Sequence, residues 1–202
     1  MKAARWLAPI LALLFIPMTA SAGIIFSAIT VTPIPSAGEL TAGASWMTSG
    51  NDIEFDLPNA VVGDNLPSIA GTFSMTYEAV STDPLTGNAL HLANSAGLAL
   101  SGTGKVVFDE VIESLDANPL VIASYGTTIA PPSGLPLDIT LNFTQPAFHI
   151  KVKKTVTLLA PPSIGGTEIN RAAVNVVSQH LVPEPASLLL LGLGALVSFR
   201  RR

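Results

Sequence analysis

Between Thr72 and Val80 the chain alternates strictly, with Phe73, Met75, Tyr77 and Ala79 in one phase and Thr72, Ser74, Thr76 and Glu78 in the other. Successive side chains of a strand point to opposite faces, so the pattern makes a strand with one apolar and one wet face, and it excludes a helix with apolar residues every three or four positions. Asp138 to Thr144 repeats it, with Ile139, Leu141 and Phe143 facing inward. Half-buried strands need a second layer over their apolar faces, so two packed layers are expected.

Further strands are expected at Ser27 to Thr32, Ile53 to Leu57, Lys105 to Phe108, Leu120 to Tyr125, Ala147 to Leu158 and Ala172 to Gln179, most of them rich in β-branched or aromatic residues. Pro, Gly and Asn mark turns at Asp83 to Asn88, Pro131 to Gly134 and Pro161 to Gly166. About eight strands so spaced predict an all-β fold, an antiparallel β-sandwich of jelly-roll or Ig-like type, with a barrel as the alternative. Two segments read otherwise. Ala89 to Leu100 is rich in Ala and Leu, and Asp109 to Asn118 carries Val111, Ile112 and Leu115 at helical spacing, so at most one or two short helices are expected there.

The ends are of another kind. Lys2 and Arg5, an apolar run from Leu7 to Met18, and Ala20-Ser21-Ala22 follow the order of a secretory signal peptide. The run is too short for a ~30 Å hydrocarbon core and holds Pro9 and Pro17, so it reads as a cleaved signal, cut between Ala22 and Gly23, rather than an anchor. The general export translocon and signal peptidase are the implied partners. This divides the chain into a signal peptide (1–22), an exported β-sandwich domain (23–181) and a distinct tail (182–202).

That tail reads Val182-Pro183-Glu184-Pro185-Ala186-Ser187, then an apolar stretch to Phe199, then Arg200-Arg201-Arg202. The prolines lack N–H donors and disfavour helix before them, which keeps the segment extended. Ala186 to Phe199, apolar and mostly helix-forming, predicts a short transmembrane helix about 21 Å long at 1.5 Å per residue. The three arginines extend its reach and hold that end on the cytoplasmic side as a membrane stop. In this three-part form the tail resembles the PEP-CTERM sorting signal. The resemblance implies a Gram-negative bacterial protein recognised by exosortase, a membrane-embedded cysteine protease of transpeptidase type. It further implies transient anchoring in the inner membrane and final sorting to the cell surface or to an extracellular, exopolysaccharide-associated matrix.

Charge narrows the partners of the domain. Residues 23–181 hold five Lys or Arg against thirteen Asp or Glu, which leaves −8. Nucleic acid is thereby disfavoured, and cations or neutral polymers are easier partners. Cysteine is absent, so there is no disulfide, thiolate metal site or cysteine nucleophile.

Asp52, Glu54 and Asp56 alternate with Ile53, Phe55 and Leu57, a row of carboxylates on one strand face that could hold Ca²⁺ if loop carbonyls completed the shell. A solvated strand face is the preferred reading, because the offsets of a calcium loop are missing. No cofactor is expected. His91, His149 and His180 form no His-x-x-x-His pair, and no Gly-x-Ser-x-Gly elbow is present. Gly102-Thr103-Gly104-Lys105 lacks the other P-loop residues and reads as a turn entering a strand. Lys151, Lys153 and Lys154 read as a small basic strand face. Trp46, Tyr77 and Tyr125 are the aromatic candidates for stacking on a sugar, with core packing the default for Tyr77.

The sequence thus points to a non-catalytic surface or matrix protein. A carbohydrate-binding or calcium-assisted adhesion module is the alternative, and an extracellular hydrolase the less favoured one.

Overall fold

The alternating stretch at Thr72 to Val80 forms the first half of the longest strand. The computed structural model describes residues 23–34, 38–94, 100–132, 134–165 and 169–184. Within them the strands are β1 (Ile24–Pro33), β2 (Ser45–Ser49), β3 (Asp52–Asp56), β4 (Val61–Gly63), β5 (Ala70–Ala93), β6 (Lys105–Ser114), β7 (Leu120–Ile129), β8 (Leu137–Leu159), β9 (Arg171–Ala173) and β10 (Val176–Pro183). A single 3₁₀ turn, Gly38–Thr41, is the only helical element among the described residues.

All strand pairings among the described residues are antiparallel. One sheet runs β2-β3-β10-β5-β8-β6-β7 with β1 also on β5, and β4 and β9 form a small second one. The large sheet becomes a sandwich because β5 and β8 pass from one layer to the other. The first half of β5 pairs with β1 and the second half of β8, whereas its second half pairs with β10 and the first half of β8.

The crossing is written in the sequence as two prolines. Val80 faces His149 and Leu85 faces Ala147, so residues 81–84 of β5 stand against one residue of β8; Gly87 then faces Asn142, so residues 143–146 of β8 stand against one of β5. Pro84 and Pro146 lie in these two bulges, where a residue without an N–H costs no ladder bond. Gly87 follows the bend at a close approach of strands: a Cβ there would lie 2.6 Å from the Leu141 carbonyl oxygen.

Phe73, Met75, Tyr77 and Ala79 are all fully buried, as their alternation requires. Opposite them lie Phe55, Leu90, Val177 and Leu181 of the other layer. The Phe55 and Tyr77 rings meet across the layers at 6.3 Å, and Phe26 packs edge-on to Tyr77 at 5.8 Å. Burying a side chain of this size stabilises the fold by roughly 1.5–3 kcal/mol, so these facing rows hold the layers together.

Several expectations are corrected. Asp83 to Asn88 is a bend inside β5 and not a turn between strands, because both long strands bulge there in succession. Ala89 to Ala93 is strand rather than helix, zipped between β10 and β8; residues 95–99 lie outside the described residues. Asp109 to Ser114 continues β6, with Glu110, Ile112 and Ser114 inward, and forms no helix. The β2 and β4 strands were not anticipated. Among the described residues no helix is long and apolar enough to cross a membrane. The expected signal peptide with Ala20 and Ala22, the expected membrane helix, and Arg200, Arg201 and Arg202 lie outside those residues.

Candidate functional site

The tail motif begins inside the folded domain. Val182 and Pro183 are the last residues of β10, opposite Gly87 and Leu85 of β5. The register breaks between them, and there the Thr86 hydroxyl donates to the Val182 carbonyl at 3.2 Å. Pro183 has no N–H to lose at this strand end. One residue later the Glu184 N–H donates to the Pro84 carbonyl at 2.7 Å. The bend of β5 therefore presents the start of the motif extended, with its direction fixed by the sheet. Pro185, Ala186 and Ser187 lie outside the described residues. At the other end, the Gly23 N–H donates to the Thr82 hydroxyl at 3.1 Å and the Gly23 carbonyl accepts the Thr82 N–H at 3.2 Å. Both ends of the described domain thus meet β5 close to the same bend.

The acidic row lies on the outer face of the layer containing β3. Ile53 and Phe55 point inward and are fully buried, which turns Asp52, Glu54 and Asp56 outward. Asp52 accepts from His180 Nδ1 at 2.8 Å, and Glu54 faces Ser178 and Met47 on its two neighbours. Further along, Ser178 faces His91, and His91 faces Asp138, whose Oδ1 lies 2.7 Å from His91 Nδ1. The sheet therefore brings Ser, His and Asp into one row across three strands, with two His–carboxylate pairs on that face. Sequence reasoning missed both pairs, because partners in neighbouring strands are 47 and 128 residues apart. Among the described residues no three His, Asp or Glu side chains are gathered as a metal site.

The remaining candidates are scattered. His149 pairs with Glu78 at 3.3 Å on the outer face of the other layer. Gly102 to Gly104 is the turn that enters β6. Trp46 is exposed on the edge strand β2, Tyr125 is half-buried on β7, and Tyr77 is in the core with its hydroxyl donating to Gln179 Oε1, so the three aromatics form no common platform. Burial pushes the Tyr77 phenol well above its ordinary range, with the nearby Glu110 charge adding to it. The basic patch is also corrected. Lys151 and Lys153 point outward, but Lys154 is in the opposite phase, fully buried and paired with Glu110.

A family model for the PEP-CTERM protein-sorting motif matches residues 181–202. The chain carries a PEP-CTERM sorting tail. That match starts at Leu181, so its first residues are those of β10 pinned to β5. A PEP-CTERM tail marks a chain for exosortase, export and sorting to the cell surface. No curated protein matches the chain. Among solved structures it is similar to TmCBM61 in complex with β-1,4-galactotriose (10% identity, 82% of this chain and 90% of that one, TM-score 0.33). It is also similar to a CBM4 structure (9% identity, 77% and 86%, TM-score 0.34) and to the family 32 CBM of C. perfringens NanJ in complex with galactose (12% identity, 75% and 100%, TM-score 0.27).

Proposed function

We propose that this PEP-CTERM protein is a non-catalytic surface or extracellular-matrix component, a β-sandwich displayed after exosortase has processed its tail. The observation that carries the reading is the continuity of β10 with the sorting motif: the last residues of β10 are the first of the motif, so processing would leave a folded domain with almost no linker. The signal-like N-terminus supports the same route. Mass spectrometry of the extracellular fraction tests it. A polypeptide that starts at Gly23 and lacks residues 188–202 is expected, and recovery of the intact tail in the inner membrane would overturn the reading.

One observation favours a second reading, a carbohydrate or calcium-assisted adhesion module. The outer face of β3, β10, β5 and β8 carries Asp52, Glu54, His180, His91 and Asp138, polar groups that can bind hydroxyls or a cation. Ser178, His91 and Asp138 stand side by side on an outward strand face that a polymer can reach. Glycan arrays with and without calcium test this reading, and no binding under either condition removes it.

A further inference from the structure

The sorting role makes no use of a reactive cluster inside the sandwich. Lys154 of β8 and Glu110 of β6 are direct cross-strand partners, both fully buried, with Nζ in contact with Oε1. The other carboxylate oxygen, Oε2, accepts the Asn88 Nδ2–H at 3.5 Å. Asn88 is also fully buried and belongs to the second half of β5, in the facing layer. One carboxylate therefore holds an amine from one layer and a carboxamide from the other. The Phe108 ring lies 5.8 Å from Nζ, and the buried Tyr77 is near enough for the Glu110 charge to act on its phenol.

Packing alone leaves this arrangement unexplained. A buried ion pair is often no more stable than apolar residues of the same volume. The Asn88 Oδ1 atom, moreover, has no hydrogen-bond partner although it is buried, an uncompensated cost in a dry interior. Amine, carboxamide and a carboxylate touching both, shielded from water, are the components of an amide exchange.

We infer that Lys154 and Asn88 react with each other, with Glu110 as proton carrier, to form an Nζ–Cγ amide that cross-links the two layers of the sandwich. The Lys154 ammonium passes a proton to the Glu110 carboxylate, which leaves a neutral amine with a free lone pair; burial favours this, since it holds the Lys154 pKa below its ordinary value against the pull of Glu110. Nζ attacks Cγ, and the charge of the tetrahedral intermediate develops on Oδ1. Glu110 gives its proton to Nδ2 and takes one from Nζ. The Cγ–Nδ2 bond breaks and ammonia leaves, while the proton remaining on Glu110 is released with it as ammonium. No oxidant, reductant or further reactant is consumed. Held on the two oxygens of one carboxylate, the two groups react without the entropy loss of an encounter, and exclusion of water protects the intermediate from hydrolysis.

The product would suit this chain. It has no cysteine, so no disulfide can staple it outside the cell. An amide between residues 88 and 154 closes a long loop of the unfolded chain and ties β5 to β8 beyond the crossing, the kind of constraint that stabilises by about 2–4 kcal/mol when a disulfide supplies it.

The test is the intact mass of the exported protein, set against the mass of its sequence between termini mapped on the same sample. A mass lower by one ammonia, together with a branched proteolytic peptide joining the Lys154 segment to the Asn88 segment, is the expected result. Glu110→Gln and Lys154→Arg should restore the full mass and the two separate peptides. A wild-type protein of full sequence mass overturns the inference even if neither variant folds. So does a loss of ammonia without the branched peptide, which would mark an asparagine cyclised on its own backbone. Linkage persisting in Glu110→Gln overturns the role given to Glu110.

Discussion

Lys154 and Glu110 face each other across the β8–β6 ladder with both side chains turned into the core. Ile150, Val152, Val156 and Leu158 share the phase of Lys154, and Val106, Phe108 and Ile112 share that of Glu110, so each charge replaces one apolar residue in an inward row. Each is tolerable only because of the other. Lys154→Met and Glu110→Leu should each leave one ionisable group alone in the core, whereas the double variant leaves none. Each of the three lacks either the amine or the proton carrier that the proposed amide requires, so its contribution cancels among them. The double variant is expected to be more stable than either single one by roughly 3 kcal/mol in urea denaturation. A double variant no more stable than the single ones would show that the pair is not coupled.

The same two rows show what the sequence made legible and what it concealed. The first half of β5 was readable because every inward residue from Phe73 to Ala79 is apolar. In β6 the inward Glu110 interrupts that signal, and Val111, Ile112 and Leu115 then imitate a helix. Lys154 was concealed by adjacent lysines of the opposite phase, although its place between Val152 and Val156 was the available clue. Pro84 and Gly87 carry ordinary turn chemistry, and nothing local distinguishes a turn from a strand bending between layers; the bulge needs β8 beside it. β2 was missed because it is a short edge strand whose five residues are all exposed, with no buried face to impose alternation. The motif was readable as a linear pattern, but its docking on Pro84 and Thr86 depends on partners almost a hundred residues away.

Tyr77 provides a spectroscopic check on the core. Its phenol is buried against Gln179, and its pKa is raised well above 10.0 by desolvation first and by Glu110 second. The neutral form is thus favoured by folding: this contribution is complete below the unfolded pKa and is lost as pH rises toward the folded one. In a Tyr125→Phe background, which leaves Tyr77 as the one tyrosine, alkaline titration should show no phenolate absorbance until the protein unfolds, and then a cooperative rise. A gradual rise near pH 10 in the folded protein would contradict the burial. Tyr77→Phe should cost about 1–3 kcal/mol, because it leaves Gln179 Oε1 unpaired beside an Nε2 that already lacks a partner.

Asp64 has the opposite pH dependence. Its carboxylate accepts the Asn170 N–H at 2.9 Å and the Ser163 N–H at 3.1 Å, tying the loop after β8 to the end of β4, and these backbone bonds lower its pKa below the ordinary 3.8. A lowered carboxylate contributes stability above its unfolded pKa and loses it as pH falls through the folded value. Asp64→Asn should therefore lower the denaturation midpoint at neutral pH, with the difference from wild type shrinking below pH 3.8. An undiminished difference in strong acid would mean that the loop is held by other contacts.

The tail itself separates recognition from retention. At Glu184 the domain uses only the backbone N–H, which donates to Pro84, so Glu184→Ala removes the acidic side chain while leaving that bond in place. Pro185→Ala supplies a backbone donor and removes the constraint that a proline places on the residue before it. If exosortase reads this motif, both variants should be exported but not processed, and they should accumulate in the inner membrane with the sandwich intact. Replacement of Arg200, Arg201 and Arg202 by Ser should act differently, since it removes the charges expected to hold a short apolar segment in place. That variant is expected to be unprocessed yet partly released. Immunoblots of inner-membrane and extracellular fractions, with circular dichroism to confirm the β-fold, distinguish the two classes. Normal maturation of all three variants would show that the motif is not what directs processing.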